Sequence, residues 1–129
     1  MKINQIKETC LYIENLEKTE SFYNEIIGLK THSKAEGKHV FFRAGESMLL
    51  CFLKGVTNKQ SNLPPHFANG QIHYAFEVDV NEYENCKKKV LSFGIKIEHE
   101  QEWKNNLKSF YFRDPDMHLI EILQMGIWD

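Results

Sequence analysis

The chain has 129 residues, of which 42% are hydrophobic, 12% aromatic and 26% charged, with 16 Lys+Arg against 18 Asp+Glu and a net charge of −2. One domain with a real core is expected at that length. A TIM barrel or a complete dinucleotide-binding enzyme is excluded, and the balanced charge offers no basic field to a nucleic acid. With 3 Pro and 7 Gly the chain is not low-complexity, and 9 Phe with 5 Tyr lean it towards β-structure.

The first ten residues, MKINQIKETC, lack the apolar run of a signal peptide, and no stretch is apolar for long enough to cross a bilayer. Cys10, Cys51 and Cys86 are odd in number and far apart, with no Cys-x-x-Cys pair. That usage predicts reduced thiols, a cytoplasmic location and no membrane partner.

In chain order, a β-rich run over Glu8–Ile13 leads into a helix over 17–27 that places Phe22, Ile26 and Ile27 on one stripe. Gly28 stops it, as a left-handed residue after the last turn would. A weak strand at 29–33 and stronger strands at 39–43 and 48–53 follow. Residues 54–71, which include Pro64-Pro65, read as a linker. The plan then repeats, with a strand over 73–78 and a helix over 81–92 carrying Tyr83, Cys86, Val90 and Leu91 on one stripe. Gly94, a weak strand at 95–99 and strands at 109–113 and 118–123 complete it. The offset between copies is 65 residues from Glu8 to His73, 66 from Gly28 to Gly94 and 70 from Arg43 to Arg113. Such slow growth is expected of a duplicated module with small loop insertions. The chain therefore reads as an α+β domain over 1–129, built from two tandem β-α-β-β-β modules, 1–53 and 72–125, joined by the linker 54–71.

Side chains alternate across a strand, so each strand sorts into two faces. Glu8, Cys10 and Tyr12 share one face of the first strand, and His73, Ala75 and Glu77 share one face of the fifth. The opposite, apolar faces are expected to pack on the helices. Glu121 stands among leucines in the last strand, where a lone carboxylate needs a partner. Glu8 and His73 are equivalent between modules, and an offset of 70 makes Cys51 the counterpart of Glu121. Two carboxylates and an imidazole suit a divalent cation with open positions, and they equally suit a salt-bridged cluster. Such an ion could polarise a carbonyl or stabilise an enediolate.

Leu11-Tyr-Ile-Glu-Asn-Leu-Glu17 with Ser21-Phe-Tyr23 and Ile27-Gly-Leu29, then His73-Tyr-Ala-Phe-Glu-Val78, then Phe110-Tyr-Phe-Arg-Asp-Pro-Asp116 with Leu119-Ile-Glu121, resemble the vicinal oxygen chelate superfamily. Glyoxalase I, fosfomycin-resistance proteins, bleomycin-resistance proteins and extradiol dioxygenases belong to it. The resemblance covers nearly the whole chain. It implies paired modules curling into a cup-like mixed sheet with helices outside, and a homodimer. It also implies Glu8, His73 and Glu121 as ligands of a divalent ion (Zn, Ni, Mn, Co or Fe), with Glu8 and Glu121 catalytic. Cys10, Tyr12, Cys51, Glu77, Trp103 and Tyr111 would line the substrate pocket. Most members carry His where this chain has Glu8, and glyoxalase I often has a fourth Glu ligand near Cys51.

The function implied is a metal-dependent enzyme of lyase, isomerase or transferase type, acting on a small oxygenated or carbonyl metabolite. The alternative is a non-catalytic, bleomycin-resistance-like protein that binds an aromatic or antibiotic-like molecule among Tyr12, Phe42, Trp103 and Tyr111. A fosfomycin-type thiol transferase is a lesser alternative. Glu102-Trp-Lys-Asn105 resembles that branch, but the loop between Asn105 and Ser109 is short and only eight residues follow Glu121.

Among the remaining features, Met117 stands where Asp-Pro-Asp-Gly is usual, so a strained turn is expected, with Asp116 capping its own backbone. His118 reads as a surface or turn residue. His32, His39, His66 and His99 read as solvent-facing, and Arg43 and Arg113 as structural.

Overall fold

Alternation of apolar and polar residues produces two four-stranded mixed sheets in this computed structural model, which describes residues 1–129. They belong to two compact units, Met1–Gly70 and Gln71–Asp129. The first unit runs β1 (Glu8–Ile13), α1 (Leu16–Ser21), β2 (Lys30–Ala35), β3 (His39–Ala44), β4 (Ser47–Leu53). Its sheet order is β1-β4-β3-β2, with β1 parallel to β4 and the other pairs antiparallel. The second runs β5 (His73–Val78), α2 (Tyr83–Ser92), β6 (His99–Glu102), β7 (Lys108–Arg113), β8 (Leu119–Gln124). Its order, β5-β8-β7-β6, repeats the first with β5 parallel to β8. No helix is long and apolar enough to cross a membrane.

Asn15 caps α1, its Oδ1 accepting the Lys18 N–H at 2.9 Å. The single α-helix expected over 17–27 is instead α1 followed by a π-helical segment, Phe22–Ile27. Gly28, at φ 86°, closes it: the N–H groups of both Gly28 and Leu29 donate to the Tyr23 carbonyl. Widening the helix turns Phe22 and Tyr23 together into the core, where both are buried. The weak strands lie later than expected, at Lys30–Ala35 and His99–Glu102.

In each unit one face of the sheet packs on the helix. Leu11, Ile13, Val40, Phe42, Leu49 and Cys51 form this face in the first unit, all at most 2% exposed. The Tyr23 ring lies 5.3 Å from Phe42. In the second unit Phe110 and Phe112 are fully buried, and Tyr83 of α2 meets Phe110 edge to face at 5.3 Å.

The hydroxyl of Thr19 in α1 is buried without a hydrogen-bond partner. An unsatisfied buried hydroxyl costs about 1–3 kcal/mol. Thr19→Val keeps the shape and removes the polar atom, so thermal unfolding should move up by a few degrees; an unchanged or lower midpoint would count against this account.

Met117 has φ 66°, as its place in the β7–β8 turn predicts. Asp114 caps this turn. One oxygen of Asp114 accepts the N–H groups of Asp116 and His118, each at 2.9 Å. A left-handed L-residue costs about 1–2 kcal/mol, part of which glycine's unfolded-state freedom would offset. Because Met117 is 48% exposed, Met117→Gly loses little burial. It should stabilise the protein by about 0.5–1 kcal/mol in chemical denaturation.

Candidate functional site

The face of each sheet turned away from its helix carries Glu8, Cys10 and Tyr12 in the first unit and His73, Glu77, Tyr111 and Glu121 in the second. The second sheet aligns His73 with Leu119 and Arg113, Ala75 with Glu121 and Tyr111, and Glu77 with Leu123 and Ser109. His99 and Gln101 of β6 extend that face beside Tyr111 and Ser109. Here the lone carboxylate finds its partners. Glu121 is 7% exposed, and its Oε1 accepts the Tyr111 hydroxyl at 2.7 Å. Its Oε2 lies 3.5 Å from Nε2 of His73.

The His73 ring is oriented by its other nitrogen, since Nδ1 lies 3.0 Å from the Leu119 carbonyl oxygen. A carbonyl only accepts, so Nδ1 carries the hydrogen. In the neutral ring Nε2 then presents a bare lone pair to a carboxylate oxygen that also has only lone pairs to offer. Two acceptors held face to face call for a cation between them, a proton or a metal ion. The Tyr111 ring packs between two imidazoles, with centroids 6.1 Å from His73 and 5.9 Å from His99. Burial raises the Tyr111 hydroxyl above its ordinary pKa; the Glu121 hydrogen bond and charge act in the same direction, against a lowering contribution from Ser109. The phenol is therefore a donor at neutral pH.

A polar chain leads away from Glu121. Ser109 donates to Tyr111 at 3.4 Å and accepts the indole N–H of Trp103 at 2.9 Å. Thus four of the residues expected to matter, His73, Trp103, Tyr111 and Glu121, are brought into one network, and Ser109 joins them. Ser109 carried a signal that could have found it: two residues before Tyr111 on one strand, it must share that face.

In the first unit Glu8, Cys10 and Tyr12 lie on one face with Met48, Leu50 and Phe52. Glu8 is exposed and Cys10 half-buried, its thiol raised by burial and then by the Glu8 charge. Tyr12 is 6% exposed and bonds His66 Nδ1 at 2.7 Å. Phe52, His66 and Phe67 surround its ring. His66, expected to face solvent, is therefore part-buried; the hydroxyl of buried Thr57 donates to its carbonyl at 2.6 Å. The stretch expected to be a linker is in this respect part of the first unit as far as Gly70.

Two expected pocket residues lie elsewhere. Cys51 pairs with Leu11 on the helix-packed face and is fully buried. Glu8 aligns with Met48, and His73 with Leu119, so the counterpart of Glu121 is Leu50, one residue from Cys51. A slip of one residue exchanges the faces of a strand. Phe42 is likewise a core residue, fully buried. His118 is also buried, at 2% exposure, where its Nδ1 accepts the Ile72 N–H at 3.0 Å and anchors the start of β5. Arg113 has the structural role expected of it, donating from Nε to Glu98 at 2.9 Å and holding that carboxyl below its ordinary pKa. Glu77 is exposed on the His73 face. Within neither unit do three or more His, Cys, Asp or Glu side chains form a group able to hold a metal ion.

The profile of the glyoxalase-like domain matches residues 6–125. The chain belongs to the glyoxalase-like family. It is similar to the crystal structure of a lactoylglutathione lyase from Agrobacterium tumefaciens, with a TM-score of 0.93 and 32% identity over 99% of this chain and 98% of that one. Among curated proteins it is 26% identical to a glutathione transferase FosA from Serratia marcescens over 93% of this chain and 80% of the relative. A metallothiol transferase FosB from Shouchella clausii is 29% identical, again over 93% and 80%. This glyoxalase-like chain thus lies near both a lyase and thiol transferases, within the vicinal oxygen chelate superfamily expected from its motifs.

Proposed function

We propose that this glyoxalase-like protein is a divalent-metal-dependent enzyme acting on a small oxygenated or carbonyl-bearing molecule, by lyase, isomerase or transferase chemistry. The observation that carries the reading is the approach of His73 Nε2 to Glu121 Oε2 at 3.5 Å, with each group held from behind by Leu119 and Tyr111. The donor set fits a borderline divalent ion (Zn, Ni, Mn, Co or Fe), which takes imidazole and carboxylate together. Glu8, exposed at the start of β1 and equivalent in the module repeat to His73, is the third donor in this reading. When bound, the ion would polarise a substrate oxygen and stabilise the charge that develops on it.

The chain's own residues supply the rest. Tyr111 donates to Glu121 and holds that carboxylate in place, and a carboxylate not committed to the ion could move a proton. Cys10, Tyr12, Glu77 and Trp103 remain the pocket residues of this proposal, in a cytoplasmic homodimer. The curated relatives include thiol transferases, whereas the similar solved structure is a lyase. A thiol-dependent reaction therefore belongs among the substrates to be screened.

Calorimetric titration of the protein with Mn, Co, Ni and Zn tests the reading. The expected result is one ion per chain with micromolar or tighter affinity, weakened by about 100-fold or more in Glu8→Ala, since losing a ligand exceeds the roughly 10–100-fold cost of losing an outer partner. Protein that binds none of these ions would overturn it and leave the His73–Glu121 contact as a simple ion pair.

A further inference from the structure

We propose that Trp103 is a positioning residue for Glu121, acting through Ser109 and Tyr111, so that the loop before β7 sets how that carboxylate is presented to a cation. The proposal deepens the metal reading above and rests on it for its functional consequence.

The chain of contacts has a fixed direction. An indole N–H can only donate and a carboxylate can only accept, so the two hydroxyls between them have no choice of roles. Ser109 accepts from Trp103 at 2.9 Å and donates to Tyr111 at 3.4 Å, and Tyr111 donates to Glu121 at 2.7 Å. In such a line each bond polarises the next. The middle link is the longest and hence the weakest.

The ends of the line differ in exposure and anchorage. Ser109 is fully buried and Glu121 nearly so, whereas Trp103 is 41% exposed. The Trp103 backbone N–H donates to the Leu107 carbonyl at 2.7 Å, closing a turn in which Asn105 (φ 61°) and Asn106 (φ 59°) are both left-handed. Two successive non-glycine residues in that region are uncommon, and asparagine is among the few that tolerate it. The turn therefore holds the indole at a defined point, with its ring half in solvent and its N–H committed inward. Any molecule that displaces the ring removes the first donor of the line and changes the hydrogen bond on Glu121 Oε1, whose sister oxygen Oε2 faces His73.

The test combines Trp103→Phe, which keeps an aromatic ring and deletes the N–H, with Tyr111→Phe, which deletes the last donor. Mn titration by calorimetry should show affinity falling about 10-fold in Tyr111→Phe, the lower end for loss of an outer partner of a ligand. It should fall about threefold in Trp103→Phe, as suits one neutral hydrogen bond. Adding Trp103→Phe to Tyr111→Phe should have no further effect. A second readout is Trp103 emission in a Trp128→Phe background: Mn should shift it, and Tyr111→Phe should abolish the shift while Mn still binds. Additive losses, or an emission response indifferent to Tyr111→Phe, would overturn the proposal. If the wild-type protein binds no metal, the metal reading fails, and the same two changes in metal-free denaturation decide the positioning: non-additive stability losses support it and additive ones refute it.

Discussion

Glu121→Gln should lower divalent-metal affinity by about 100-fold or more, a larger loss than removal of an outer partner, which is worth about 10–100-fold. The substitution keeps the side chain's size and leaves an acceptor for the Tyr111 hydroxyl, so shape is not what changes. What disappears is the charge opposite His73 Nε2. In the metal-free protein the cost should be small. A carboxylate at 7% exposure is itself expensive to bury, and the His73 side chain that loses it is 50% exposed and stays hydrated. The two states should therefore separate in thermal unfolding. Wild-type protein in metal at about 100 times its dissociation constant gains about 2.7 kcal/mol, whereas Glu121→Gln gains almost nothing. A variant that still shows the full metal-induced rise would remove Glu121 from the ligand set. One that unfolds far earlier without metal would instead make the carboxylate a structural element.

The parts of this site that were legible in the sequence are those that follow from local rules. Alternation along β1 and β5 placed Glu8 and His73 on faces with other titratable groups, and the isolation of Glu121 among leucines called for a partner, which the fold supplies as Tyr111 and His73. Gly28 and Gly94, both left-handed, marked the helix ends because only a residue without Cβ adopts that conformation freely. Illegible parts depended on distance or on a count of one. The contact of Tyr12 with His66 joins residues 54 positions apart and has no periodic signature. The π-helical segment 22–27 has the apolar spacing of an ordinary helix, since what widens it is the packing of Phe22 and Tyr23. His118 was misread because burial of a turn histidine is decided by the Ile72 N–H, which lies 46 positions away.

Phe42 gives the second large effect, because its two readings predict opposite outcomes. As a pocket residue it would bind ligand at little cost to folding when removed. The register refutes that placement: Phe42 pairs with Leu49, which pairs with Thr9, so it shares the face of Leu11 and Ile13. It is fully buried, with the Tyr23 ring at 5.3 Å. Phe42→Ala should therefore cost about 3–5 kcal/mol, as expected when an aromatic ring is cut from a packed core. Tyr23 sits on the π-helical segment, and the carbonyl that ends that segment is its own. The cavity would consequently loosen the helix end at Gly28 as well as the sheet beneath it. Phe41, one residue earlier, faces the other way, half-buried against His39 and Phe52. Its alanine variant should lose much less, about 1–2 kcal/mol, since less surface returns to water. Chemical denaturation of the two variants side by side measures the difference. Equal losses at 41 and 42 would mean that the two faces of β3 are not divided into core and open surface, and the pairing of Tyr12, Cys10 and Glu8 on the open face would fall with it.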